Sequence, residues 1–196
     1  MGQRLVISIR HLDQDIARIY YHWSAYTVSA LEETQKIWNF ICEKDDPSVR
    51  DLQLRLIRMA EKDGGGIEGG ETSAEFARIQ SMFPDETFKT ENISRNEGLI
   101  ALSKEGMDGL LSWAEGTVVI DIDEGTVENN VFFDYYDPEE YREDHELQDF
   151  SLEDIPDIGV DLGYFSLDKL DDVIEVLNDL NDYAVRCGKN IYEKIM

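Results

Sequence analysis

Residues 117–122, Thr-Val-Val-Ile-Asp-Ile, make the most apolar β-branched run of the chain, and Glu124-Gly125 follows almost at once. β-branched side chains fit a pleated, buried surface, and glycine supplies the positive φ that a tight hairpin turn needs. The stretch therefore reads as a hairpin, turning at Glu124-Gly125 and returning through Val127 to Tyr136. A strand this apolar must be covered, so the hairpin is expected at the centre of the fold. It runs on into an acidic arm over residues 134–154.

The flanking segments supply the rest of the fold. From Arg4 to Arg10, Leu5, Ile7 and Ile9 alternate with Ser8 and the arginines, the period of a half-buried strand. His11 to Asp15 reads as a turn, and Ile16 to Trp23 as the strand that completes a first hairpin. The alternation of Arg and Ser with apolar residues marks the opening as a strand and not a signal peptide. Ser29 to Glu32 matches a capping box, in which hydroxyl and carboxylate satisfy free N–H groups. A helix follows along Leu31, Thr34, Ile37, Trp38 and Ile41. Asp46-Pro47 is expected to start a second helix, through Val49, Leu52, Leu56 and Met59 to about Lys62.

Residues 64–70, GGGIEGG, carry five glycines in seven and read as a mobile loop. They lack the Lys-Ser/Thr of a phosphate loop and follow a helix, where such a loop follows a strand. Thr72 to Phe83 is a short helix up to Pro84, Gly98 to Ser103 a short strand, and Lys104 to Glu115 a short helix with Leu110, Leu111 and Trp113. After a loop over 151–163, Ser166 is expected to cap a long amphipathic helix along Leu167, Leu170, Val173, Ile174, Leu177, Leu180 and Ala184. Two hairpins separated and followed by helices give an α+β domain spanning 1–196. The sheet is expected to be mainly antiparallel, with the helices on one face.

Charge narrows the function. The formal net charge is −25, and residues 115–154 hold 15 acids against one base, Arg142. Such a surface is a poor match for phosphate, so direct nucleic-acid binding and anionic membranes are disfavoured. What remains is a basic partner, a divalent cation, or plain solubility. Within the arm, Asp134, Asp137, Glu139, Glu140, Glu143 and Asp144 lead, and Glu146, Asp149, Glu153 and Asp154 follow. Tyr141 and neighbouring aromatics interleave them. Carboxylates among aromatics suit Arg-rich protein, because Arg both pairs and stacks. These residues are the expected partner-binding surface.

Other constellations are weaker. Asp121-Ile-Asp123-Glu124-Gly125 resembles the opening of a calcium loop, but its twelfth position is Phe132 and not glutamate. None of His11, His22 and His145 has metal-ligand spacing to another His or Cys, so no metal or cofactor is expected. Tyr20, His22, Trp23, Ser24 and Tyr26 are dense in aromatics with polar tips, and read as a sheet edge or as the rim of a pocket. His22 beside Ser24 would be a base and nucleophile only if geometry allowed it. Cys42 reads as a packing residue and, with Cys187, as a reduced thiol.

The stretch Met1-Gly-Gln-Arg-Leu-Val-Ile-Ser-Ile, together with Tyr20-Tyr-His-Trp-Ser-Ala-Tyr-Thr, resembles a group of uncharacterised phage and prophage proteins of Gram-positive bacteria. The likeness covers about the first 40 residues. It implies an accessory protein of a mobile element in a bacterial cytoplasm, and brings no catalytic residue with it. Combined with the charge, it leads to the expectation of an acidic, nucleic-acid-mimicking inhibitor of a host defence enzyme. An enzyme with a pocket near the aromatic stretch, and a structural or regulatory phage protein, are the alternatives.

Overall fold

A computed structural model describes residues 4–22, 24–25, 27–43, 48–68, 77, 81–82, 84–85, 90–91, 98–131, 163–175 and 178. The fold is α+β. Its strands are β1 (Leu5–His11), β2 (Gln14–Tyr21), β3 (Gly66–Glu68), β4 (Thr90–Glu91), β5 (Leu99–Ala101), β6 (Gly116–Asp121), β7 (Thr126–Asn129) and β8 (Tyr164–Ser166). The helices are α1 (Thr27–Cys42), α2 (Val49–Lys62) and α3 (Lys104–Leu111). The strands form one eight-stranded sheet in the order β4-β3-β5-β2-β1-β6-β7-β8. Among the described residues no helix is long and apolar enough to cross a membrane.

The first hairpin forms as its alternation predicts. β1 and β2 pair antiparallel from Leu5↔Tyr21 to His11↔Gln14, with an irregularity between Ile9 and Arg10. Leu12 (φ 51°) and Asp13 (φ 58°) turn the chain in the left-handed region, the conformation that matches the right-handed twist of the strands. The second hairpin also forms, with Ile120 opposite Val127. Gly125 (φ 63°) lies in its turn, and Asp121 Oδ1 accepts from the backbone N–H groups of Asp123 and Glu124 at 3.1 and 3.0 Å. That acceptor role accounts for the acid which resembles a calcium ligand.

Two expectations about the sheet are corrected. The sheet is mixed and not mainly antiparallel: β1–β6, β3–β4 and β3–β5 pair parallel. Its middle is β2–β1 and not the second hairpin. The cause is α3. One helix between β5 and β6 returns the chain to the end where β5 began, so the two strands run the same way, as a parallel crossover requires. β6 then pairs with β1 beyond β2, and the crossover passes over β2 and β1.

Helices consequently cover both faces, where one was expected. On the first face Leu5, Ile7, Ile9, Ala17, Ile19 and Tyr21 pack with Leu31, Ile37, Leu52, Leu56 and Ile57 of α1 and α2. On the second, Val6, Tyr20, Leu99 and Ala101 pack with Met107 and Leu110 of α3. β1 is thus buried along Leu5–Ile9, including Val6 at 0% and Ser8 at 6% exposure, and is not half-buried.

Local starts and stops also differ. α1 begins two residues before Ser29, so the proposed capping box lies inside the helix. Ser48 caps α2, accepting from Asp51 N–H at 3.2 Å, while Asp46 and Pro47 lie outside the described residues. Within the glycine-rich stretch, Gly66–Glu68 is a strand and Ile67 is fully buried against Ile100. Glycine there leaves the backbone free to pair, and one isoleucine supplies the burial. Ser166 closes β8 and its hydroxyl points to Gly125 O at 3.4 Å. It makes no side-chain cap; a short 3-10 turn, Leu167–Lys169, leads into helix at 170–175. The rest of the expected long helix, the 72–83 helix as a whole, and the hairpin return over 132–136 lie outside the described residues.

Candidate functional site

β1, β2 and β6 bring four polar side chains to one end of the sheet. Tyr20 sits near the end of β2 on the face covered by α3, with no exposure. Its phenol oxygen lies 2.7 Å from His22 Nδ1, and the rings meet at 54° with centroids 6.1 Å apart. When Nδ1 is unprotonated the phenol donates this bond. Burial pushes the Tyr20 phenol above its usual value, while the nearby Arg4 charge pulls it down. The pair is one hydrogen bond between a buried phenol and a half-buried imidazole.

Beside it, Arg4 and Glu115 close the end of the sheet. Arg4 donates from its backbone N to Glu115 Oε2 and from Nη2 to Oε1, both at 2.9 Å. Glu115 and Gly116 return backbone N–H bonds to Arg4 O at 2.7 and 3.1 Å. The hydrogen bond from Arg4 holds the Glu115 carboxyl below its usual range, and the same bond raises Arg4. The Arg4 guanidinium also lies over the Trp113 ring, 5.8 Å from its centroid. Parallel pairing of Leu5 with Gly116 places these residues together across 111 positions of sequence. No local motif announces that meeting; the only signal is that Arg4 and Glu115 each stand just before a strand.

Folding lowers the Glu115 pKa, so the pair stabilises the fold above the ordinary carboxylate range. That contribution is lost as pH falls through the lowered folded value. Glu115→Gln should therefore lower Tm near pH 7 and should melt like the unsubstituted chain once the pH lies below the folded pKa. Equal Tm differences across a pH series of thermal melts would show that the pair does not titrate with folding.

Of the expected pocket rim, the structure places Tyr20 in the interior, His22 half-buried against it, and Ser24 buried at 8% exposure just past β2. Trp23 and Tyr26 lie outside the described residues. So do all the arm acids from 134 to 154. The two roots of the arm are described. Asn129 N donates to Gly163 O at 2.8 Å, Asn130 N to Thr117 O at 2.9 Å, and Val131 is fully buried. β7 ends and β8 begins at the sheet end that carries Tyr20, Arg4 and Glu115.

Cations in the described residues are largely held by acids. Arg4, Arg10, Arg18, Lys36, Arg55, Arg58 and Lys169 each lie within 4.0 Å of a carboxylate. His11 Nδ1 lies 2.9 Å from Asp123 Oδ1, joining the tips of the two hairpins. Cys42 is exposed and does not pack in the core: it is the last residue of α1, one past buried Ile41. No group of three His, Cys, Asp or Glu among the described residues is placed to hold a metal ion. Comparison with protein-family models, curated proteins and solved structures finds no match to the chain.

Proposed function

We propose that this chain is an accessory protein of a phage or other mobile element that acts in a bacterial cytoplasm. Its carboxylates occupy the phosphate-binding groove of a host nucleic-acid-handling defence enzyme, such as a CRISPR effector or a restriction enzyme. The observation that carries the reading is the net charge of −25, with Arg4, Arg10, Arg18, Lys36, Arg55, Arg58 and Lys169 of the described residues already beside carboxylates. A surface with 43 acids against 18 bases presents a predominantly negative field outward. Such a field steers and holds a basic partner and repels phosphate. The likeness of the first 40 residues to phage and prophage proteins supports the setting.

Charge reversal tests the reading. The tagged chain should capture a stoichiometric nuclease or other DNA-handling enzyme from bacterial lysate, released by moderate salt, because screening shortens to about 3 Å at 1 M. Replacing Asp137, Glu139, Glu140, Glu143 and Asp144 by Lys should abolish that capture. Capture that survives the five substitutions would remove the arm as the interface.

The hydrogen bond between Tyr20 and His22 favours a second reading, an enzyme acting on a small molecule at the half-buried imidazole. Salt separates the two, since small-molecule turnover is far less sensitive to screening than an interface built on many charges.

A further inference from the structure

We propose that the outer edge of β8 docks an extended segment of a basic protein, which adds to the sheet as a further strand; this deepens the acidic-binder reading and rests on it. β8 is the last strand of the sheet, and among the described residues no strand pairs with its outer side. The ladder to β7 fixes which main-chain groups face outward. Asn129 N donates to Gly163 O and Leu167 N donates to Gly125 O, both at 2.8 Å, on either side of the pair Val127↔Phe165. Antiparallel ladders alternate, so Gly163, Phe165 and Leu167 bond inward to β7. Tyr164 and Ser166 therefore each turn an N–H and a C=O away from it. Such a row of groups is what an added strand pairs with.

The side chains beside this edge select a cation. Across the sheet Ser8, Val119, Glu128 and Tyr164 stand opposite one another in turn. Glu128 and Tyr164 thus lie on the side that carries α3, beyond the strands it covers. Both are exposed, Tyr164 at 57%. The residue of an incoming strand opposite Tyr164 becomes its cross-strand neighbour. Arginine or lysine there can lay its stem and charge over the phenol ring towards the Glu128 carboxylate. Asp168 is exposed just past the edge. A second copy of the chain would bring another −25 against the same sign of charge, so repulsion opposes self-pairing and the occupant is basic.

The experiment titrates an alternating Lys-Thr decapeptide into the full chain and its variants by calorimetry. Ser166→Pro should weaken binding by about fivefold, the loss of one main-chain hydrogen bond, and Ser166→Ala by less than about twofold. Ser166 has φ −76° and ψ 140°, which proline adopts, and it follows an extended strand residue, Phe165. Its N–H faces away from β7, so proline at this edge leaves the fold intact. In the unsubstituted chain, amide exchange at Tyr164 and Ser166 should slow by about fivefold when the peptide binds. Binding unchanged in Ser166→Pro, or exchange at the two amides unmoved by the peptide, overturns the proposal. So does a dimer in sedimentation that Ser166→Pro dissociates, because it would assign the edge to a second copy. The Ser166 variants leave the net charge as it is, and the charge-reversed arm leaves β8 as it is, so the edge and the acidic-binder reading can fail separately.

Discussion

Ile7→Ala should remove about 3 kcal/mol of stability, the middle of the range for emptying a fully packed aliphatic site. Ile7 has no exposure and lies between Ile19 of β2 and Val118 of β6. Both neighbours belong to the pair of strands in the middle of the sheet or to the parallel strand beside it, and α1 and α2 close the same face. A cavity there is flanked by two strands that the ladders hold in register and covered by packed helix side chains, so it cannot collapse cheaply. For a chain of this size the loss corresponds to a Tm about 6–12 °C lower. Leu12→Ala is the control: Leu12 is 71% exposed at the hairpin tip, and its truncation should change stability by less than about 0.5 kcal/mol. Urea melts of the two variants decide the matter. An Ile7→Ala loss no larger than that of Leu12→Ala would place β1 at the periphery and contradict the strand order.

Gly116→Ala should cost about 1–3 kcal/mol by overpacking. The backbone at Gly116 is not in the left-handed region, so any penalty is steric. An added methyl would meet Val131 Cγ2 at 2.7 Å and Ala25 Cβ at 3.3 Å. Val131 is fully buried at the root of the acidic arm, and Ala25 follows β2 just before α1. Ala25 cannot retreat without moving backbone, and Val131 can do so only by changing rotamer in a fully buried site. Val131→Ala removes the offending methyl, so the same glycine substitution in that background should cost about 1 kcal/mol less than it does alone. Strict additivity in the double-mutant cycle would mean that Val131 is not what Gly116 accommodates. Non-additivity would show that the start of β6 and Val131 share one seat.

Local structure was legible wherever a short-range pattern carried it. Alternation along Leu5–Ile9 and Ile16–Tyr21 yields the first hairpin, and the β-branched run before Glu124-Gly125 yields the second. The spacing of Leu52, Leu56 and Met59 marks the buried side of α2. Boundaries were less so. Ser48 rather than Asp46 caps α2, because both are good acceptors in sequence and only the backbone geometry chooses between them. The glycine-rich stretch hid β3, since a three-residue strand is held by its neighbour β5 and carries almost no pattern of its own.

The sequence by itself determined the segments, the α+β class and the charge of −25, because each depends on residue type or on spacings of two to four positions. Tertiary structure alone decided how the segments meet. The short α3 crossover makes β6 run parallel to β1, and that single pairing moves the centre of the sheet to β1–β2, buries Val6 and Tyr20 on a second face, and brings Arg4 to Glu115 across 111 residues. The physical reason is one of range. Periodicity records which side of an element is apolar, whereas the choice of neighbour depends on where a helix returns the chain and on which faces remain to be covered.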